Sequence, residues 1–233
     1  MTLQLPKCRE GLSIGIMGGT FDPIHLGHLV IAEEVCHQFK LDKVIFVPTG
    51  YPPHKAVNKV TNPEHRYLMT VLATINNPHF VVSRVEIDNV KGATYTIDTV
   101  RFFDNYFQGK AKIYFITGAD AIMEILTWKD YAELFSICHF IAATRPGYSL
   151  NNLNDTIGSI CPKALERIQI FEIPAMQISS TLIRQRVAEG KPIKYLTPDS
   201  VAEYITKNGL YSNVVMPEYK TSTFSDTTDR ARK

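Results

Sequence analysis

The hydrophobic positions along the chain alternate between short uninterrupted apolar runs and longer stretches in which apolar residues recur every three or four positions. The short runs predict buried strands. They lie at Leu12–Met17, Lys43–Val47, Phe80–Val85, Lys112–Ile116, Ile137–Ala143 and Ile168–Phe171. The longer stretches predict amphipathic helices between most of these strands. They lie at Leu26–Phe39, Asn62–Asn76, Thr96–Phe107 and Ala119–Phe135.

This alternation predicts an α/β fold, a Rossmann-like doubly wound parallel sheet covered by helices. A small helical C-terminal portion follows from about residue 179, with predicted helices at Ser180–Glu189 and Pro198–Asn208. We interpret residues 1–213 as a single domain with a polar surface insertion at 148–162. Residues 214–233 lack periodicity and are rich in Thr, Ser, Asp and Lys, so we expect a disordered tail.

Composition narrows the function classes. The chain has 233 residues, 45% of them hydrophobic, which is enough to bury a full core. Its net charge is only +2 and its basic residues form no stripe, so we expect no nucleic-acid or membrane partner. The sequence shows neither an apolar run of roughly 20 residues nor a secretory signal, which predicts a cytoplasmic protein. The four scattered cysteines favour incidental thiols over a zinc site or a disulfide framework.

The stretch GGTFDPIHLGHL, residues 18–29, occupies the first predicted turn from strand to helix. In a doubly wound sheet this turn is the usual seat of a phosphate. Gly18 and Gly19 let the backbone approach an anion, and the helix start offers unpaired N–H groups and a partial positive charge. His25 and His28 lie one helical turn apart, so both side chains can point toward that anion.

This stretch contains neither the GxxxxGK[ST] of a Walker loop nor the GxGxxG of dinucleotide-binding folds. Two imidazoles stand where a Walker loop has a lysine, and they can stabilise charge that builds up during phosphoryl transfer without a covalent step. Taken alone, the histidine pair is more typical of a helix cap or a buried polar group than of a catalytic site. A zinc site is the weaker interpretation, because HExxH is absent. We predict no metal site built by protein side chains.

A second candidate phosphate site is the stretch ISSTLIR, residues 178–184. Ser179 or Ser180 is a suitable N-cap, and the free N–H groups of that helix start can face an anion. Ser180 and Arg184 lie four positions apart, so the hydroxyl and the guanidinium can converge on the same phosphates. Taken alone, the serines are more typical of a simple helix cap.

These stretches carry a family resemblance. GGTFDPIHLGH resembles the [T/S]xxH…HxGH signature, and ISSTLIR the ISSTxxR motif, of nucleotidyltransferases that transfer AMP or CMP from a nucleoside triphosphate. Five further stretches resemble, in order, motifs of the bacterial nicotinate-nucleotide adenylyltransferase family. They are GYPPHK (50–55), NPEHRYLM (62–69), ATYTIDTV (93–100), FITGADAIMEILTW (115–128) and TRPGY (144–148). The resemblance extends from about Ser13 to Leu210.

The resemblance implies transfer of AMP from ATP, bound with Mg²⁺, to nicotinate mononucleotide, which forms deamido-NAD and pyrophosphate. The acceptor phosphate is already ionised, so the reaction needs alignment and charge stabilisation rather than a strong base. A phosphopantetheine adenylyltransferase, which shares two of the motifs, and a catalytically silent nucleotide-binding regulator are the alternatives. The strength of the preference for nicotinate over nicotinamide mononucleotide and the formation of a homo-oligomer stay open.

The resemblance also implies site residues. The expected catalytic residues are His25, His28, Lys55 and Arg184. The expected ATP-binding residues are Gly18, Gly19, Thr20, Phe21, Gly118, Asp120, Ser179, Ser180 and Thr181. The expected residues for nicotinate mononucleotide are Lys55, Tyr95, Thr96, Trp128 and Arg145, with Trp128 stacked on the pyridine ring. Without the resemblance, Trp128 fits a core position, Asp120 and Thr96 fit helix caps, and Lys55 and Arg145 fit surface charges.

Overall fold

A parallel β-sheet forms the centre of the molecule. The computed structural model describes residues 5–51, 60–89, 92–144, 157–158, 161–174 and 177–212. Within this part of the chain six strands are formed, β1 (Leu12–Gly19), β2 (Lys43–Pro48), β3 (Phe80–Val82), β4 (Ala111–Gly118), β5 (His139–Thr144) and β6 (Ile168–Glu172). Their order is β3-β2-β1-β4-β5-β6, and all neighbours are parallel. The order reverses between β1 and β4, which confirms the doubly wound prediction.

The helices lie between and after these strands. They are α1 (Leu26–Gln38), α2 (Pro63–Thr74), α3 (Thr96–Tyr106), α4 (Ala119–Met123), α5 (Tyr131–Ile137), α6 (Pro162–Leu165), α7 (Ser180–Ala188) and α8 (Asp199–Lys207). Asn62 caps α2 by accepting a hydrogen bond from the Glu64 N–H at 2.9 Å, and Pro63 follows at the first helical position. No helix in the described part of the chain is long and apolar enough to cross a membrane.

Both faces of the central strands β1, β2, β4 and β5 are buried, and successive residues of each strand contribute to opposite faces. Ile45 and Val47 of β2 belong to the core cluster that contains residues of α3, α4 and α5. Val44 and Phe46 belong to the cluster that contains residues of α1, α2, α7 and α8. The two clusters form one apolar layer on each side of the sheet.

The predicted helix Ala119–Phe135 is wrong. The structure divides it into α4, a 3₁₀ turn at Ile125–Thr127 and α5. Trp128 has extended backbone, with φ −74° and ψ 144°, and Asp130 has left-handed backbone, with φ 52°. The Trp128 ring packs against other rings of the core, and this tertiary contact overrides the helical spacing of the apolar residues.

The predicted strand at Phe80–Val85 ends earlier, at Val82. Beyond it, the Arg84 guanidinium donates to the carboxylates of Glu64 and Asp88. The insertion predicted at 148–162 lies outside the described residues except for 157–158 and the start of α6. The tail predicted at 214–233 also lies outside them.

Candidate active site

Two histidines meet at the start of α1, beyond the carboxyl end of β1. We call residues 20–25, which join β1 to α1, the histidine loop. His25 is the N-cap of α1, and its ring stacks on that of His28 with 3.7 Å between centroids. The His28 Nδ1 accepts a hydrogen bond from the His25 backbone N–H at 3.3 Å. In neutral His28 the proton therefore lies on Nε2, which makes Nε2–H its donor toward a ligand.

Burial determines the charge of both rings. Removal from water lowers the pKa of His25 to about 4. Burial also lowers the pKa of His28 well below its usual range, and the neighbouring His25 adds to this decrease. The His25 Nδ1 is buried and has no hydrogen-bond partner among the described residues. The site thus holds two neutral imidazoles at neutral pH, and these can act as hydrogen-bond donors to an anion.

Small residues and one aromatic ring make this arrangement possible. A Cβ at Gly27 would lie 3.0 Å from the His25 Nδ1, so only glycine leaves the ring its present position. The Phe21 ring meets the His28 ring edge-on, with 5.0 Å between centroids. A Cβ at Gly19 would lie 2.9 Å from the Phe21 ring. Phe21 is only 2% exposed, so the structure gives this predicted ATP-binding residue a supporting position behind the histidines.

The second predicted phosphate motif lies against the first. The Ser180 Oγ donates to the Pro23 carbonyl oxygen at 2.8 Å, and the Arg184 Nη1 donates to the Asp22 carbonyl oxygen at 2.7 Å. The Ser179 Oγ caps α7 by accepting from the Leu182 N–H at 3.1 Å. α7 therefore holds the backbone of the histidine loop through its first two turns.

The exposed residue Thr181 accepts a hydrogen bond from Arg184 Nη2 at 3.3 Å through its Oγ1. This leaves the guanidinium oriented by one backbone carbonyl and one hydroxyl. A guanidinium carries five N–H donors, so these two contacts do not exhaust it. Arg184 can hold the histidine loop and still donate to a bound phosphate.

Two residues predicted to bind ATP, Gly118 and Asp120, lie at the end of β4 and the start of α4. β4 pairs with β1, so Gly118 lies at the same edge of the sheet as Gly18 and Gly19. Gly118 is the N-cap of α4, and a Cβ placed there would meet no atom within 4 Å. Asp120 lies in the first turn of α4 and is exposed. The edge at Gly118 is therefore open to a ligand.

Three predicted acceptor residues lie on the other helical layer. Thr96 is the first residue of α3, and Tyr95 is its N-cap. The Lys129 ammonium lies 4.7 Å from the centroid of the Tyr95 ring, which brings α3 close to the residue after Trp128. Trp128 is half-buried and meets Phe115 edge-on, with 5.9 Å between centroids. The Trp128 ring therefore packs in the core, and the residue keeps some exposed surface.

Two predicted residues, Lys55 and Arg145, lie outside the described residues. Thr20 lies in the histidine loop, and its carbonyl oxygen accepts a hydrogen bond at 2.8 Å from Arg66. Sequence reasoning missed Arg66, which is completely buried. A signal was present, because Arg66 shares the three- and four-residue spacing of Met69, Thr70 and Ala73 on the buried side of α2. A charged residue in such a position marks a polar network inside the protein.

A cleft of about 860 Å³ runs along α3. The residues that line it include Ser83, Arg84, Tyr95, Thr99, Phe102 and Tyr106. Tyr95 connects this cleft to the predicted acceptor residues, whereas neither His25 nor His28 lines it. The cleft is therefore distinct from the space in front of the histidines.

The low pKa of His25 makes stability depend on pH. Folded His25 has a pKa of about 4, whereas an exposed histidine has 6.5, so the unfolded chain binds the proton more readily. The folded state is therefore most stable with respect to His25 above pH 6.5, and this stability is lost as the pH falls toward 4. We expect His25 alone to reduce the free energy of unfolding by about 3 kcal/mol by pH 4. Urea titrations of the wild type and His25→Gln across this range measure it, and equal pH slopes for the two proteins would contradict it.

Comparisons with known proteins identify the family. A family model described as cytidylyltransferase-like matches residues 16–186. The probable nicotinate-nucleotide adenylyltransferase of Thermoanaerobacter sp. (strain X514) is 58% identical over 200 residues, which cover 86% of this chain and 94% of that protein. The probable nicotinate-nucleotide adenylyltransferase of Moorella thermoacetica (strain ATCC 39073) is 57% identical over 198 residues, which cover 85% of this chain and 91% of that protein.

Solved structures share the fold. The Plasmodium falciparum nicotinic acid mononucleotide adenylyltransferase complexed with NaAD has a TM-score of 0.70 at 22% identity, covering 86% of this chain and 97% of that one. The same enzyme complexed with APC has a TM-score of 0.68 at 21% identity, with the same coverage. The family model and the similar sequences show that this chain belongs to the nicotinate-nucleotide adenylyltransferase family of cytidylyltransferase-like proteins.

Proposed function

We propose that this protein transfers AMP from ATP to nicotinate mononucleotide, the reaction for which its family is named, with deamido-NAD and pyrophosphate as products. The observation that carries the proposal is the stacked pair of neutral histidines at the start of α1, held in place by α7. Such a site offers hydrogen-bond donors to a phosphate and contains no group that must act as a nucleophile.

The reaction we propose is a direct displacement. The 5′-phosphate of nicotinate mononucleotide attacks the α-phosphorus of ATP, one P–O bond forms, and the bond to pyrophosphate breaks. The attacking phosphate is ionised at neutral pH, so no general base is needed. The His28 Nε2–H, His25 and the N–H groups of α1 stabilise the negative charge that grows on the transferring group. Arg184 contributes a further positive charge from the second motif, and Lys55 is the other cation we assign to the reacting phosphates.

For the ATP side, we assign to the nucleotide the sheet edge formed by Gly18, Gly19 and Gly118, which is open at Gly118. Open space at the end of a parallel strand is where ligands bind in this fold. Asp120 follows at the start of α4, where its carboxylate can accept hydrogen bonds from ribose hydroxyls. Ser179, Ser180 and Thr181 contribute a second helix start toward the triphosphate.

For the acceptor side, we assign the accessible part of Trp128 to stacking on the pyridine ring. Tyr95 and the backbone N–H groups at Thr96 would hold the nicotinate carboxylate, because a helix start favours an anion. Arg145 would contact the phosphate or ribose of the same substrate. An amide in place of the carboxylate would leave these donors poorly matched, which favours nicotinate over nicotinamide mononucleotide.

Magnesium enters this reaction as part of the substrate Mg-ATP. The described residues contain no group of three His, Cys, Asp or Glu side chains placed to hold a metal ion. The oxygens of the triphosphate and water suit magnesium, which retains several waters when it binds. The protein side chains then hold the phosphates rather than the metal.

The direct test measures pyrophosphate release from Mg-ATP with nicotinate mononucleotide, nicotinamide mononucleotide, phosphopantetheine or no acceptor. We expect release that depends on nicotinate mononucleotide, with the nicotinamide compound slower. Trp128→Leu should raise the KM for nicotinate mononucleotide about tenfold through lost stacking and leave the KM for ATP unchanged. Trp128→Phe keeps an aromatic ring and serves as the control. Release only with phosphopantetheine, or none with any acceptor, would refute the proposal.

A further inference from the structure

Three polar residues join the histidine loop to neighbouring segments, and neither the family resemblance nor the proposed reaction assigns them a role. They are Asp22, Arg66 and Tyr211, which we call the loop clamp. We propose that the loop clamp positions the histidine loop against the ends of segment 52–59 and against the C-terminal turn after α8, so that Tyr211 and Arg66 act on catalysis through other residues. The effect on catalysis rests on the proposed function, whereas the effect on loop geometry does not.

Arg66 is the centre of the clamp. It lies in α2 with an exposed fraction of 0%, and all three guanidinium nitrogens donate to backbone carbonyls. Nε reaches Thr61 at 2.8 Å, Nη1 reaches Thr20 at 2.8 Å, and Nη2 reaches Gly50 at 3.1 Å. Thr20 belongs to the histidine loop, while Gly50 and Thr61 lie on either side of segment 52–59. A single rigid guanidinium thus sets the spacing between the histidine loop and both sides of that segment.

That segment contains Lys55, the lysine we assign to the reacting phosphates. Its own structure lies outside the described residues, but the residues before and after it are described. Gly50 allows no substitution, because a Cβ there would lie 2.2 Å from the Glu86 carbonyl oxygen. Where the chain enters and leaves the segment is therefore fixed by close packing at Gly50 and by the hydrogen bonds of Arg66.

Asp22 joins the clamp from the histidine loop itself. Its side chain is buried, with an exposed fraction of 4% for the residue. Oδ1 accepts from the Tyr211 hydroxyl at 2.7 Å, and Oδ2 accepts from the Thr61 N–H at 3.2 Å. The Arg66 Nε donates to the carbonyl oxygen of the same residue, Thr61. Both polar groups of the Thr61 backbone are therefore held by the clamp.

The charges of the clamp support one another. Burial lowers the pKa of Arg66, and the nearby Asp22 carboxylate opposes this decrease. Burial and the Asp22 carboxylate raise the pKa of Tyr211, so the hydroxyl stays protonated and keeps donating. Buried charges of this kind contribute little to the stability of the fold, because apolar residues of similar volume often stabilise a protein equally well. Fixing the relative positions of several loops explains their presence better.

Substitutions of the clamp residues differ in the risk that the variant unfolds. Removing the Arg66 side chain would leave three buried carbonyls without donors, and the variant would risk unfolding. Tyr211→Phe removes one hydroxyl and keeps the ring. Tyr204→Phe is a matched control, because the Tyr204 hydroxyl lies 2.8 Å from the His65 Nδ1 and ties α8 to α2 without contacting the histidine loop.

We expect Tyr211→Phe to lower kcat by between about 10-fold and 100-fold, since small displacements of reacting groups cost that much. Tyr204→Phe should change kcat less than about twofold, and it should lower thermal stability less than Tyr211→Phe, because the Tyr211 hydroxyl bonds a buried carboxylate. Hydrogen exchange should accelerate at the Thr61 amide and at amides of the histidine loop in Tyr211→Phe only. Unchanged kcat in Tyr211→Phe, or equal kcat losses in both variants, would overturn the catalytic role of the clamp.

The exchange measurement separates this inference from the proposed function. If the wild type released no pyrophosphate with any acceptor, the proposed function would fail, while faster exchange at Thr61 in Tyr211→Phe would still support the clamp. If the wild type were active and exchange at Thr61 and the histidine loop were the same in all three proteins, the clamp would be refuted and the proposed function would stand.

Discussion

His28→Ala is expected to lower kcat with nicotinate mononucleotide by about 10²- to 10³-fold, the usual cost of losing one preorganised donor to a developing negative charge. The reason lies in the hydrogen bonding of the ring. Nδ1 is already used by the His25 N–H, so the Nε2–H is the donor left for the transferring phosphoryl group. Steady-state kinetics of pyrophosphate release measure the loss, and the KM for ATP should change much less than kcat.

A second substitution distinguishes catalysis from helix capping. In His28→Asn, the shorter side chain can still accept the hydrogen bond from the His25 N–H but does not reach as far as Nε2. We expect this variant to fold like the wild type and to remain as inactive as His28→Ala. If His28→Asn recovered most of the activity, His28 would serve the start of α1 and not the reaction.

Gly27→Ala is expected to lower kcat/KM by about 10²-fold while the protein stays folded. The added methyl would lie 3.0 Å from the His25 Nδ1 and 3.1 Å from its Cε1, and the ring is stacked on His28. The ring must therefore shift. Alanine is also a better helix former than glycine, by up to about 1 kcal/mol, which offsets part of the steric cost in the melting temperature. Activity should fall far more than stability.

A double-substitution cycle tests this explanation. In a His25→Ala background the methyl at residue 27 has no ring to displace, so Gly27→Ala should add almost no further loss. A loss of the same size in both backgrounds would mean that the methyl acts on something other than His25, such as the approach of a substrate to α1.

The apolar pattern predicted most of the fold because both faces of the central strands β1, β2, β4 and β5 are covered, so these strands are largely continuous apolar runs. The doubly wound parallel sheet and the family were confirmed. The pattern failed at Trp128 and Asp130, where no glycine or proline announces the break and an aromatic contact with Phe115 determines the chain path. Spacing alone could not show a tertiary contact of this kind.

The candidate site was predictable in part. Local motifs predicted a phosphate site at the start of α1 and another at the start of α7. The structure places these two helix starts next to each other. The motifs could not predict that Ser180 and Arg184 would bond the loop backbone. Arg66 and Tyr211 were missed because their partners are distant in sequence, and Tyr211 lies 189 positions from Asp22. Their roles and those of the predicted site residues stay predictions for the experiments above.

The residues of the proposed site are distributed over the two apolar layers of the sheet. The histidine loop and α7 belong to the layer of α1, α2, α7 and α8, whereas Trp128 packs with the layer of α3, α4 and α5. The sheet separates the two layers, so each packs largely within itself. On the proposed assignment, substitutions around Trp128 should change the choice of acceptor and leave the contacts of the histidine loop and α7 with the triphosphate intact. Redesign toward another mononucleotide should therefore begin in the layer of α3, α4 and α5.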